Sequence, residues 1–334
     1  MKASEESINL ACELLKKGEI VGVPTETVYG LAGDARNSSA IKKIFEAKGR
    51  PQDNPLIVHI ANMEMLNGIV SKVPDDAKKL AEKFWPGPLT IIMPKGDKIC
   101  DETCAGLDSV GVRMPSNKIA HEIIARSNIP FSAPSANLSG KPSPTNANDV
   151  FVDMNGRIPL IIDGGDSQAG VESTVVSVLE DTPVILRPGV ITKEMMEQVL
   201  NKPVLIAKEV TEGVKDDSKV RSPGMKYKHY APNADVTIIK SDIEKFANFI
   251  EKNKTAGTFV MCFDGEENLF SVPTISYGKK DDPKTQAHNL FTVLRKVDEM
   301  GAKNVYARCP ETTGVSLAVY NRLIRSAGFK IITL

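Results

Sequence analysis

The chain has 334 residues, 41% of them hydrophobic and 25% charged, the make-up of an ordinary globular protein of two domains. Its 42 basic residues balance 42 acidic ones, so no whole-protein field draws in nucleic acid or an anionic membrane, and any nucleic-acid surface has to be local. No apolar run reaches the length of a membrane span, the first residues lack the apolar core of a signal peptide, and five scattered cysteines without a Cys-x-x-Cys argue against a disulfide framework or structural zinc; the expected compartment is the cytoplasm, with no membrane partner.

A helix is predicted over residues 4–17, apolar at Ile8, Cys12 and Leu15 and closed by Gly18. A strand at 20–23 runs into Pro-Thr-Glu-Thr-Val-Tyr-Gly-Leu at 24–31, dense in hydroxyls for a segment between apolar runs. Thr25 and Thr27 can cap or brace a turn there, and Thr27 suits a binding role as well. A short helix capped by Ser38 or Ser39 carries a stripe at Ile41, Ile44 and Phe45 and stops at Gly49, releasing Lys48 and Arg50 together. Pro51 and Pro55 stiffen the loop that follows and keep Asp53 and Asn54 extended, so its polar groups stay presented. Residues 56–60 then read as a strand, with Leu56, Val58 and Ile60 on one face and Ile57 and His59 on the other.

Helical patterns at 75–84 and 116–126 bracket two strands, 89–93 and 109–114. In the second, Val110 and Val112 point one way while Ser109, Gly111 and Arg113 point the other. Hydroxyls and small residues gather again after residue 131, where a strand-like entry meets a Ser/Pro loop offering Ser135, Asn137 and Ser143 as donors. A third cluster pairs Ser173 and Thr174 at the start of a strand with Arg187 at the end of another. Periodicity fails over 201–233, which reads as a linker with mixed charge at 215–221. It ends in Ser-Pro-Gly-Met-Lys-Tyr-Lys-His-Tyr-Ala-Pro at 222–232, either a solvated basic stretch or a segment that folds back over a phosphate-bearing ligand. Strands at 236–240, 258–263, 274–276, 304–308 and 330–334 then alternate with helices, the first opened by the capping box Ser241-Asp242-Ile243-Glu244. That alternation implies a mainly parallel, Rossmann-like sheet; it carries no Gly-x-Gly-x-x-Gly and no catalytic constellation.

The first two hundred residues hold no Walker motif, no His-Glu-x-x-His, no Gly-x-Ser-x-Gly and no promise of a covalent nucleophile. They hold Lys48, Arg50, Arg113 and Arg187 among many neutral donors. Fixed cations of this kind suit a ligand with several anionic groups, such as a nucleoside triphosphate with a small carboxylate, and a reaction driven by positioning and charge neutralisation.

Five motifs carry a resemblance: Pro-Thr-Glu-Thr-Val-Tyr-Gly-Leu at 24–31, Lys-x-Arg-Pro-x-x-Asn-Pro-Leu at 48–56, Val-Gly-Val-Arg-Met-Pro at 110–115, Ser-Ala-Asn-Leu-Ser-Gly at 135–140 and Glu-Ser-Thr-Val-Val at 172–176. Together they resemble the YrdC-like threonylcarbamoyl-adenylate synthases, and His-Tyr-Ala-Pro at 229–232 with the extra C-terminal domain resembles their long, two-domain form. The implied fold class is α/β: a YrdC-like twisted α/β sheet with a large concave groove at 1–203, a linker folding over the active site at 204–233, and a smaller Rossmann-like parallel domain at 234–334.

The implied activity is that of a nucleotidyltransferase joining L-threonine, bicarbonate and ATP into L-threonylcarbamoyladenylate with release of pyrophosphate. This is the first step of threonylcarbamoyl-adenosine modification of tRNA, and a downstream threonylcarbamoyl transferase machinery would take the product. Carried over position by position, the threonine pocket falls on Thr27, His59, Arg113, Ala133 and Ser173, with Arg113 gripping the carboxylate in bidentate geometry. Lys48 and Arg50 fall on the catalytic positions. The nucleotide side takes Arg50, Asn54, Ser109, Ser135, Asn137, Ser143 and Arg187, joined by Tyr230 from the linker. Magnesium is expected with the triphosphate, held mostly by phosphate and water oxygens, because no Asp/Glu cluster announces a protein cage. Two other classes stay open. One is a noncatalytic double-stranded RNA or tRNA-binding module, against which balanced charge and sparse aromatics count. The other is a carbamoyl transferase of the hydrogenase-maturation type, whose zinc-finger cysteines and acylphosphatase-like module are absent here.

Overall fold

Breakers and short apolar runs divide the chain into strands that collect in two sheets. The computed structural model describes residues 1–212 and 229–334; the mixed-charge run at 215–221 and the basic residues at 222–228 lie outside the described residues. Strands β1 (Val21–Val23), β2 (Gly30–Asp34), β3 (Ile57–His59), β4 (Leu89–Pro94), β5 (Ser109–Arg113), β6 (Phe131–Ser132), β7 (Thr174–Ser177), β8 (Val184–Arg187) and β9 (Leu205–Ile206) form one mixed sheet. Its order is β1-β2-β6-β3-β5-β4-β7-β8-β9. Strands β10 (Asp235–Lys240), β11 (Thr258–Cys262), β12 (Thr274–Ser276), β13 (Asn304–Arg308) and β14 (Ile331–Thr333) form the second, ordered β12-β11-β13-β10-β14. Every pairing in it is parallel, with crossover α-helices joining all successive strands but β11 and β12. The α/β class and the parallel second sheet agree with expectation.

The helices are α1 (Glu5–Lys16), α2 (Ser38–Lys48), α3 (Asp75–Phe84), α4 (Asp101–Cys104), α5 (Lys118–Ser127), α6 (Ala147–Met154), α7 (Lys193–Leu200), α8 (Glu209–Glu212), α9 (Ile243–Asn253), α10 (Pro283–Glu299) and α11 (Ser316–Ser326). Two caps differ from the predicted ones. Asn37, not a serine, caps α2, its Oδ1 accepting from the Ser39 and Ala40 amides, and Asp242 rather than Ser241 caps α9. Residues 205–212 are ordered where periodicity fails: two-residue β9 pairs with β8, and α8 follows. Elements that short leave no period to read. No described helix is long and apolar enough to cross a membrane.

The second sheet does not bury its apolar residues alone. Val28, Val171 and Tyr230 join Phe259, Leu290, Phe291 and Leu323 in one core. Burying a valine in such a contact stabilises by about 2 kcal/mol. Around it, Arg295 on α10 pairs with Asp153 at 2.8 Å, and Asn321 on α11 donates to the Val210 carbonyl at 2.6 Å.

Candidate active site

The register between β3 and β5 sets the first pair of functional side chains. These parallel strands oppose Ile57 to Gly111, Val58 to Val112 and His59 to Arg113, so His59 and Arg113 end neighbouring strands on a common face. That face opens into a cavity that both side chains line. The helix end at Gly49, in the left-handed conformation with φ 59°, carries Lys48 and Arg50 to the same cavity. Strands β7 and β8 bring Ser173 and Arg187 to it, and the segment after β6 brings Ala133, Ser135 and Asn137.

Within the wall the polar groups hold one another. Arg113 Nη1 donates to Thr27 Oγ1 at 2.9 Å, Nε to the Gly87 carbonyl at 3.3 Å, and Nη2 pairs with Glu26 at 2.6 Å. Lys48 Nζ donates to the carbonyls of Ser135 and of Asn137, the latter at 2.8 Å. Arg187 donates to the Ser173 carbonyl at 3.1 Å and hydroxyl at 3.2 Å, and Ser173 Oγ lies 2.8 Å from Thr90 Oγ1. The Asn137 amide nitrogen donates to Leu138 and Lys141 carbonyls, tightening the loop.

Burial shifts the titration of these groups. Desolvation, with Arg50's charge added, lowers Lys48 to about 7. Desolvation, with Arg113's charge added, lowers His59 to about 3, so its ring is neutral at physiological pH. His59 Nδ1 lies 3.2 Å from the Ile57 carbonyl, which only accepts, so a hydrogen bond there needs the proton on Nδ1. Burial pushes the Glu26 carboxyl up, but Arg113 outweighs it and holds the group below its usual range.

The cavity thus gathers Thr27, Lys48, Arg50, His59, Arg113, Ala133, Ser135, Asn137, Ser173, Arg187 and Tyr230 from the residues named by sequence. Three others lie elsewhere. Ser109 lines a smaller hollow that shares Leu56 and Ile57 with the cavity. Ser143 is buried and donates to Glu172 at 2.6 Å, and Asn54 is buried beside Asp53. Tyr230 is held by Phe291, ring centroids 5.1 Å apart, while the next residue, Ala231, donates its amide to the Gly140 carbonyl at 2.9 Å. Sequence reasoning gave no role to Glu26, Glu172 or His229, although all three lie inside the quoted motifs; Glu172 and His229 line the cavity and Glu26 pairs with Arg113. Among the described residues no three His, Cys, Asp or Glu side chains converge to hold a metal.

Residues 13–189 match the family model described as Telomere recombination, and residues 191–328 match the one described as Threonylcarbamoyl-AMP synthase, C-terminal domain. The Threonylcarbamoyl-AMP synthase of Bacillus subtilis (strain 168) is 44% identical over 99% of this chain and 96% of its own length. The chain belongs to the threonylcarbamoyl-AMP synthase family. A second member of that family, from Pyrococcus abyssi (strain GE5 / Orsay), is 41% identical over 99% of this chain and 97% of its own length. The crystal structure described as P. abyssi Sua5 complexed with L-threonine superposes with a TM-score of 0.92 at 41% identity, covering 100% of this chain and 98% of that one. Escherichia coli YciO, with a TM-score of 0.51 at 24% identity over 56% of this chain, shares the fold of the first sheet region. The long, two-domain synthase form read from the motifs agrees with these matches, and the RNA-binding and carbamoyl-transferase readings are not favoured.

Proposed function

We propose that this protein condenses L-threonine, bicarbonate and ATP into L-threonylcarbamoyladenylate and pyrophosphate, as expected of a threonylcarbamoyl-AMP synthase. The observation that carries the reading is the convergence of Lys48, Arg50, Arg113 and Arg187 on one cavity beside a neutral histidine. The carbamate of threonine and the α-phosphate of ATP are both anionic. Two unit charges 4 Å apart repel by about 4 kcal/mol at an effective dielectric of 20, a barrier that fixed cations offset without reorganisation.

In this reading Arg113 takes the threonine carboxylate, and His59 and Thr27 meet the hydroxyl or amine, with Ala133 and Ser173 closing the pocket. Lys48 and Arg50 neutralise the reacting phosphate. Arg50, Ser135, Asn137, Arg187 and Tyr230 hold the nucleotide, with Asn54, Ser109 and Ser143 supporting it from outside the cavity. Magnesium enters as the nucleotide's counter-ion: the lining is cationic, and the one carboxylate among its described residues, Glu172, is already taken by Ser143 and Arg322. The same reading divides the chain at 1–203, 204–233 and 234–334, sets the protein in the cytoplasm, and passes the adenylate to a tRNA threonylcarbamoyl transferase, with at most weak tRNA contact here.

The test is to supply ATP, bicarbonate and each of several amino acids and follow pyrophosphate. Release should require threonine, and valine, which lacks the hydroxyl, should be a poor substitute. Equal release with valine, or with no amino acid, defeats the reading.

A further inference from the structure

Arg322 belongs to α11 in the second sheet's domain, yet none of its surface is exposed. Its guanidinium crosses to the wall of the cavity. Nε donates to Glu172 Oε2 at 2.9 Å, Nη2 to the Glu172 carbonyl at 3.2 Å, and Nη1 to the Pro188 carbonyl at 2.6 Å and to Asn321 Oδ1 at 3.1 Å. Glu172 lines the cavity, and its other oxygen accepts from Ser143. Arg187, next to Pro188, lies on the same wall, bonded to Ser173 and in no ion pair with another described residue. Burial raises the Glu172 carboxyl, but Arg322 and then Arg187 outweigh it, so the group stays ionised. Two guanidiniums therefore compete for one buried carboxylate, and Arg322 holds it.

We infer that Arg322 is a positioning residue: by taking the Glu172 carboxylate it leaves the charge of Arg187 for an anionic substrate, so the second domain completes the electrostatics of the site. A domain that only braced the fold would not need a fork aimed at this carboxylate. An uncharged residue at position 322 would leave Glu172 buried with Arg187 as its remaining cation, and that arginine would turn from the ligand to the carboxylate. The inference rests on the proposed reaction for its kinetic consequence alone.

The test uses the full chain and four variants, Arg322→Met, Arg322→Lys, Glu172→Gln and Arg322→Met/Glu172→Gln. It reads ATP affinity by calorimetry, KM and kcat by pyrophosphate release, and the melting temperature. Arg322→Met should weaken ATP binding about tenfold and raise KM for ATP more than it lowers kcat. Arg322→Lys, which keeps the charge, should fall between. Adding Glu172→Gln to Arg322→Met should return ATP affinity to within about threefold of the parent, because it removes the carboxylate that captures Arg187. A purely structural role predicts no such rescue. ATP affinity unchanged in Arg322→Met, or a double variant as weak as the single, overturns the inference. Should Arg322→Met fail to fold, the double variant decides: affinity near the parent supports it and a tenfold loss overturns it. A parent chain that binds ATP but releases no threonine-dependent pyrophosphate defeats the proposed reaction, while the binding comparison still decides on Arg322.

Discussion

Glu26 Oε1 lies 2.6 Å from Arg113 Nη2, with only 8% and 4% of the two side chains exposed. The pair determines how much of Arg113 a substrate can use. A guanidinium has five N–H groups. Gly87 accepts from Nε and Thr27 from Nη1, and Nη2 is in ion-pair contact with Glu26, which leaves N–H groups on both terminal nitrogens. That is enough for a carboxylate to bridge the two, and Glu26 fixes the plane in which it must do so.

Arg113→Ala should abolish threonine-dependent pyrophosphate release and also destabilise the fold by about 3 kcal/mol, because Glu26 is left buried and uncompensated. Adding Glu26→Gln should recover stability in a denaturant melt without recovering turnover. Turnover equal to the parent's would remove Arg113 from the site.

Lys48, lowered to about 7, is part neutral at pH 7.5 in the empty site. A bound triphosphate favours the ammonium and raises that value, so ATP binding should take up a fraction of a proton at this pH. Titrations in buffers of different ionisation enthalpy measure the uptake. It should vanish in Lys48→Met, and equal uptake in parent and variant would assign the proton elsewhere.

His59 is held neutral, at about 3 against an ordinary 6.5. The unfolded chain binds a proton there below pH 6.5 while the folded chain does not until about pH 3. Stability is therefore present in full above pH 6.5 and lost as pH falls through that window, by roughly 2–3 kcal/mol at pH 4.5. Denaturant midpoints from pH 7 to 4.5 should fall less in His59→Gln. An identical slope in the variant would show that other groups carry it.

Gly170 has φ +73°, and a Cβ there would lie 2.4 Å from the Ala287 carbonyl oxygen and from His288 Cα on α10. Gly165 has a similar φ of +80° with nothing within 4 Å of such an atom. Gly165→Ala should cost about 1 kcal/mol, the strain of the left-handed backbone alone. Gly170→Ala should cost several-fold more and open the contact between the two domains, read as faster proteolysis and a larger scattering radius. Equal costs for the two would show that α10 yields freely.

Alternation alone put Arg113 opposite Val110 and Val112, and His59 opposite Val58, because a strand has a period of two and one face had to be apolar. The parallel second sheet was legible for a similar reason: strands separated by helical repeats leave few other ways to bury both patterns. Family motifs supplied the roles. Three things were decided only in three dimensions. Ser109 shares a face of β5 with Arg113 but lies four residues away, over a smaller hollow, and Ser143, in a loop, donates to Glu172; how far a cavity extends along a strand is not written in that strand. Glu26 and Glu172 read as motif filler until their arginines came within reach. Arg322 became the most buried cation of the site when α11 brought it against Glu172 and the Pro188 carbonyl. Local periodicity reports which side of an element faces inward, but the partner of a buried charge is chosen by contacts between residues far apart in the chain, and no short stretch of sequence contains both.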